Sequence, residues 1–152
     1  MNTLPILNPR VALIDFFSAV LPPQEKEQVF VAATLYPKKN SNDRPLMEHT
    51  YANTHAELAD RVLQINNDGK EAYYALGRFS PHTTESGNPG RKGEYVQALK
   101  AFWVDIDVGE DKSADGLGYP TKKEGHQALI NFVSQCNLPS PTHFIDSGGG
   151  IH

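Results

Sequence analysis

A chain of 152 residues with 18 acidic and 14 basic side chains, net charge −4, is long enough to bury a core and too acidic to bind nucleic acid by bulk charge. Hydrophobic residues at 39% and charged residues at 21% exclude wholesale disorder, and no apolar run reaches the length of a membrane span. One cysteine, Cys136, excludes an internal disulfide; residues 1–5 lack the basic start and apolar core of a signal peptide, so the default location is reducing and cytoplasmic.

Asn8 and Pro9 read as the cap and first turn of a helix that ends near Pro22-Pro23. Residues 28–35 (QVFVAATL) are β-branched and apolar and predict a strand. Residues 37–48 are polar with two prolines and predict a loop. Thr54-His55-Ala56-Glu57 has the capping-box pattern and opens a helix to about Asn66, followed by an Asn67-Asp68-Gly69 turn. Residues 72–79 (AYYALGRF) predict a strand and 80–93 a long loop with three glycines and two prolines; a helical turn is expected over 94–99. Residues 102–108 predict an acidic strand and 109–120 a flexible loop. Thr121-Lys122-Lys123-Glu124 is a second capping box, opening a helix to about Cys136, whose thiol is expected to be buried. After Pro139 and Pro141, residues 142–146 predict a final strand. The order α-β-α-β-β-α-β has no strict βαβ repeat. It predicts an α+β class, a mixed sheet with helices packed on it, in one domain over residues 1–152.

Chemistry concentrates in two places. In Phe102-Trp103-Val104-Asp105-Ile106-Asp107-Val108-Gly109, strand alternation puts Phe102, Val104, Ile106 and Val108 on one apolar face, with Trp103, Asp105 and Asp107 on the other. Paired carboxylates at that spacing repel unless a cation or a proton sits between them, and hard oxygen ligands suit Mg²⁺ or Mn²⁺. The plainer reading is two exposed acids at a strand end. In Ser147-Gly148-Gly149-Gly150-Ile151-His152 the glycines allow positive φ and close approach to an anion, and His152 follows where it can donate to a phosphate or carry a proton. The plainer reading there is a flexible turn.

Together these stretches resemble motifs I and II of the archaeo-eukaryotic primase superfamily, and more narrowly the primase-polymerases of phages and plasmids. The resemblance covers mainly residues 72–152, with 1–66 a leading α-β-α unit. It implies an RRM-like catalytic core and template-directed nucleotidyl transfer in DNA replication, with nucleoside triphosphates and a single-stranded DNA template as partners and a helicase domain or protein beside it. It also implies roles: Asp105 and Asp107 as ligands of the divalent cations, His152 at the phosphates of the incoming nucleotide, and Ser147, Gly148, Gly149 and Gly150 shaping that pocket. The family's third carboxylate, on a later strand, does not occur before His152, so the core is expected to be C-terminally incomplete.

Arg91 and Lys92 add a candidate contact to nucleotide or template phosphates, beside the alternative of a solvated loop. Trp103 and the Tyr73-Tyr74 pair offer stacking surfaces, the two tyrosines pointing oppositely. Arg78 reads as a surface ion pair, and Lys38, Lys39, Lys122 and Lys123 as solvated. His49, His55, His82, His126 and His143 show no metal-ligand spacing. Two other functions fit less of the pattern: a non-catalytic nucleic-acid- or protein-binding module derived from the same fold, and an Asp-dependent phosphohydrolase, whose Asp-x-Asp is followed by Gly-Thr rather than the Val108-Gly109 found here.

Overall fold

The computed structural model describes residues 8–36, 46–85, 87–146 and 150–152. It is a mixed α+β structure of small antiparallel sheets and helices. The chain divides into two compact units, Met1–Ala101 and Phe102–His152. No helix among the described residues is long and apolar enough to cross a membrane.

The first unit is built on β1 (Phe30–Tyr36), the central strand of an antiparallel sheet ordered β2-β1-β3, with β2 at Leu46–Ala52 and β3 at Glu71–Tyr74. A central strand covered on both faces reads as a continuous apolar run, and Phe30, Val31 and Ala32 are fully buried. On the Phe30 face lie α1 (Pro9–Val20) and α2 (His55–Asn67): Phe17 packs on Tyr74 at 4.9 Å and His55 on Phe30 at 4.7 Å, ring centre to ring centre. On the Val31 face a second cluster joins Val29, Val31, Ala75 and Phe79 with Tyr51 and Val96. It is closed by a ribbon of β4 (Gly77–Phe79) and β5 (Val96–Leu99).

The helix starts follow the side-chain chemistry of their caps. Asn8 Oδ1 accepts from Arg10 N at 3.0 Å, with Pro9 in the first turn. Thr54 Oγ1 accepts from Glu57 N at 3.0 Å, while the Glu57 carboxylate accepts from Asn53 N at 2.7 Å.

Several expectations are corrected. Residues 46–48 begin a strand, β2. Met47, His49 and Tyr51 alternate inward there against exposed Leu46, Glu48 and Thr50, a pattern that the polar content of the segment hides. Residues 72–79 are not one strand: the run breaks at Ala75-Leu76, because β3 pairs with β1 whereas β4 pairs with β5. Of residues 94–99 only 94 and 95 are helical. A short 3₁₀ turn at Gly93–Tyr95 gives way to β5, whose pairing with β4 outweighs local preference. Arg78 is buried rather than on the surface, its guanidinium bonded to the Gln28 side chain and the Pro23 carbonyl with Glu25 3.9 Å away. Lys38 and Lys39 lie outside the described residues.

The second unit holds β6 (Ile106–Asp107), α3 (Glu110–Ala114), α4 (Lys122–Gln135) and β7 (Gly150–Ile151). Its core is Ile106, Leu129 and Ile151, flanked by Val108 and Val133. Glycine at 125 lets α4 lie close to β6; a Cβ there would sit 3.0 Å from Ile106 Cγ2. Thr121 caps α4, and its hydroxyl donates to Glu124 Oε2 at 2.7 Å.

The expected seven-residue acidic strand shrinks to the two residues of β6. Phe102 is fully exposed and Val104 is 44% exposed, so only Ile106 and Val108 of the proposed apolar face reach the core. Among the described residues, β7 pairs with Ile106 and Asp107. The expected loop over 109–120 contains α3. Residues 142–146 form no strand; one bridge links Asp146 to Ile151. Cys136 is the C-terminal cap of α4, just past the end of the helix, and is exposed.

Candidate functional site

The site is assembled by the antiparallel register of β6 and β7, in which Ile106 faces Ile151 and Asp107 faces Gly150. One step further along the register, Asp105 comes opposite His152, and His152 Nδ1 lies 3.3 Å from Asp105 Oδ1. Ile145 and His152 exchange both backbone hydrogen bonds, at 2.8 and 3.0 Å, which fixes the His152 backbone from its other side. Asp105 immediately precedes β6 and Asp107 ends it.

Both acids line a pocket of about 310 Å³ whose other walls include Val104, Leu117, Tyr119 and Phe132. The segment after α3 forms one of those walls. Tyr119 N donates to Asp107 O at 2.9 Å, Gly109 N donates to Tyr119 O at 2.9 Å, and Val108 bridges Tyr119 in parallel. A side chain at Gly118 would collide with the Asp107 carbonyl. The acids therefore sit at the edge of a bowl with an apolar lining, held by main-chain bonds on two sides.

Each carboxylate has its own basic neighbour. Lys112 Nζ lies 3.3 Å from Asp107 Oδ2, reaching back from α3, and His152 serves Asp105. A third acid of the unit, Asp146, is held by Lys122 Nζ at 2.6 and 2.7 Å. Lys122 is thus a pairing residue, not only a solvated one. Among the described residues no group of three or more His, Cys, Asp or Glu side chains is gathered for metal binding. The donor set does fit a hard divalent ion in the manner of Mg²⁺, which keeps several waters and is commonly held by one or two carboxylates plus substrate phosphates.

Of the residues singled out from the sequence, Asp105, Asp107, Gly150 and His152 come together here. Gly150 is a buried residue of β7. Ser147, Gly148 and Gly149 lie outside the described residues. Arg91 and Lys92 belong to the first unit, just before the 3₁₀ turn; Lys92 Nζ is 3.9 Å from Glu94. Tyr73 and Tyr74 point oppositely, Tyr73 44% exposed and Tyr74 packed on Phe17. Sequence reasoning missed Lys112 and the apolar wall. Lys112 carries no spacing signal, and the wall unites residues of three separate segments.

No family model, curated protein or solved structure matches the chain.

Proposed function

We propose that the second unit carries a divalent-cation-dependent nucleotidyl-transfer site, of the kind that phage and plasmid primase-polymerases use for template-directed primer synthesis and polymerisation in DNA replication. The observation that supports it is the β6–β7 register, which sets His152 against Asp105 with Asp107 beside it on one pocket edge. Asp105 and Asp107 would hold Mg²⁺ or Mn²⁺. When bound, such a cation neutralises charge on a transferring phosphoryl group and stabilises the attacking and leaving oxygens.

His152 donates a ring N–H to a phosphate oxygen of the incoming nucleoside triphosphate. Ser147, Gly148 and Gly149, before the buried Gly150, are proposed to shape the pocket for that phosphate, glycine allowing close approach to the backbone. Arg91 and Lys92 of the first unit are assigned to nucleotide or template phosphates, guanidinium and ammonium groups being suited to charge-assisted contacts. The partners proposed are nucleoside triphosphates, a single-stranded DNA template and a replicative helicase domain or protein.

The test is Mn²⁺-dependent nucleotide incorporation on a single-stranded template by protein containing this chain, compared with Asp105→Ala and Asp107→Ala. Loss of a carboxylate ligand is expected to cost at least about a hundredfold, since even groups that only orient a metal ligand cost ten- to a hundredfold. Wild-type rates in both variants would sink the proposal. A phospho-aspartate trapped at Asp105 would assign the site to phosphate hydrolysis instead.

A further inference from the structure

The first unit holds a pair of half-buried imidazoles, His49 and His82, that the proposed reaction does not use. The connection from β4 to the 3₁₀ turn is closed at its base by the Gly90 N–H donating to the His82 carbonyl at 3.0 Å, and is tied to β2 by one hydroxyl. Tyr51 Oη, on β2, accepts from His82 N at 3.0 Å and from Gly90 N at 3.1 Å, and its one hydrogen points between the His82 and Gly90 carbonyls, to be donated to one of them at a time. The His82 ring lies against Gly90, where any side chain would collide with it, and stacks on Tyr95 with ring centres 3.8 Å apart and planes 11° apart. The two arms of the connection, residues 80–85 and 87–92, are thereby tied to β2.

His49 stands two residues before Tyr51 on the same face of β2. It hydrogen-bonds the Pro89 carbonyl, and its Nε2 is buried without a partner, so the bond to Pro89 uses Nδ1–H. That bond fixes the neutral tautomer and leaves a bare Nε2. A proton added to Nε2 would create a buried N–H without an acceptor, which costs about 1–3 kcal/mol before any charge term.

We propose that Tyr51 and His49 form a pH-sensitive latch that holds the base of this connection on β2, and that protonation of His49 releases it. The charged and titratable groups facing His49 all fit. From the connection, Arg91 brings positive charge toward it, and His82 a second imidazole. From its own strand comes the Tyr51 hydroxyl, engaged as above. Across β1 the register puts Tyr73 and Glu71 on the same sheet face, and the Glu71 carboxylate is engaged by Tyr73 Oη at 2.9 Å. Burial first, then the Arg91 charge, hold the His49 imidazole below its ordinary value of 6.5, with the Pro89 carbonyl pulling the other way. A lowered value means that the closed form binds the proton less well than the open form does. Closure is therefore complete above the ordinary imidazole range and weakens as pH falls through it. Release frees the main chain on both sides of Arg91.

The test is amide exchange of the intact chain at about pH 7.5 and about pH 5.5, corrected for intrinsic rates, with the imidazole range between them. Amides of residues 82 and 90 are expected to exchange several-fold faster at the lower pH, while those of β1 stay protected. His49→Asn, which keeps a donor for Pro89 and cannot titrate, is expected to remove the response. Tyr51→Phe is expected to open the base at both values. A wild-type base equally protected at both pH values overturns the proposal, as does a pH response that survives His49→Asn, or a Tyr51→Phe base as protected as wild type. The wild-type comparison stands alone if a variant fails to fold.

Discussion

Replacing Ile151 by alanine tests whether the small core of the second unit holds the acids in place. Ile151 is 8% exposed, packs with Ile106 and Leu129, and lies between Gly150 and His152 on β7. The substitution removes three side-chain carbons. At about 0.8 kcal/mol per buried carbon, less a part already buried in the denatured chain, the loss is about 2 kcal/mol, with an unfilled cavity adding to it. The chain has one tryptophan, Trp103, within this unit, so urea unfolding followed by its fluorescence reports the unit itself. The midpoint is expected to fall by about 1 M or more. Phe102→Ala is the control. Phe102 would be a core residue if the acidic strand ran its expected length, and the structure leaves it fully exposed, so the change is expected to stay within about 0.5 kcal/mol. Equal losses in the two variants, or no loss at Ile151, would refute the packing argument.

Lys112→Met removes the ammonium that competes with a metal ion for Asp107. The pair is about half exposed, so Mn²⁺ affinity measured by calorimetry should rise only about two- to fivefold, and a fall would show that Lys112 supports the site instead. Thr54→Ala deletes the α2 cap and should cost about 1 kcal/mol in thermal or urea unfolding. Burial pushes the Tyr74 phenol up to about 12 from an ordinary 10.0. A raised value favours the folded form while the phenol stays protonated. Stability is therefore expected to be intact below pH 10.0 and to fall as pH rises toward about 12, and Tyr74→Phe should flatten that fall.

Local chemistry was legible wherever a short motif carries its own energy. Both Thr-x-x-Glu boxes form caps, and β1 announces itself by an unbroken apolar run. What depends on partners distant in the chain was not legible. β2 hides because its inward residues are Met47, His49 and Tyr51, which are not β-branched. The acidic strand is shorter than the apolar alternation over residues 102–108 suggests, because alternation does not reveal which residues find a pairing partner. At the site, the residue types of Asp105, Asp107 and His152 pointed to one place. The separate basic neighbour of each acid, and the wall of Leu117, Tyr119 and Phe132, arise only when α3, the segment after it, α4 and β7 are brought together around β6.

The most direct measurement is Mn²⁺ binding to this chain, followed by the loss of the free-ion paramagnetic resonance signal during titration. Binding is expected in the wild type, lost when Asp105 and Asp107 are both changed to Asn, and strengthened by a nucleoside triphosphate. Absence of binding with and without nucleotide, or binding unchanged in the double variant, would contradict a metal-dependent site on β6.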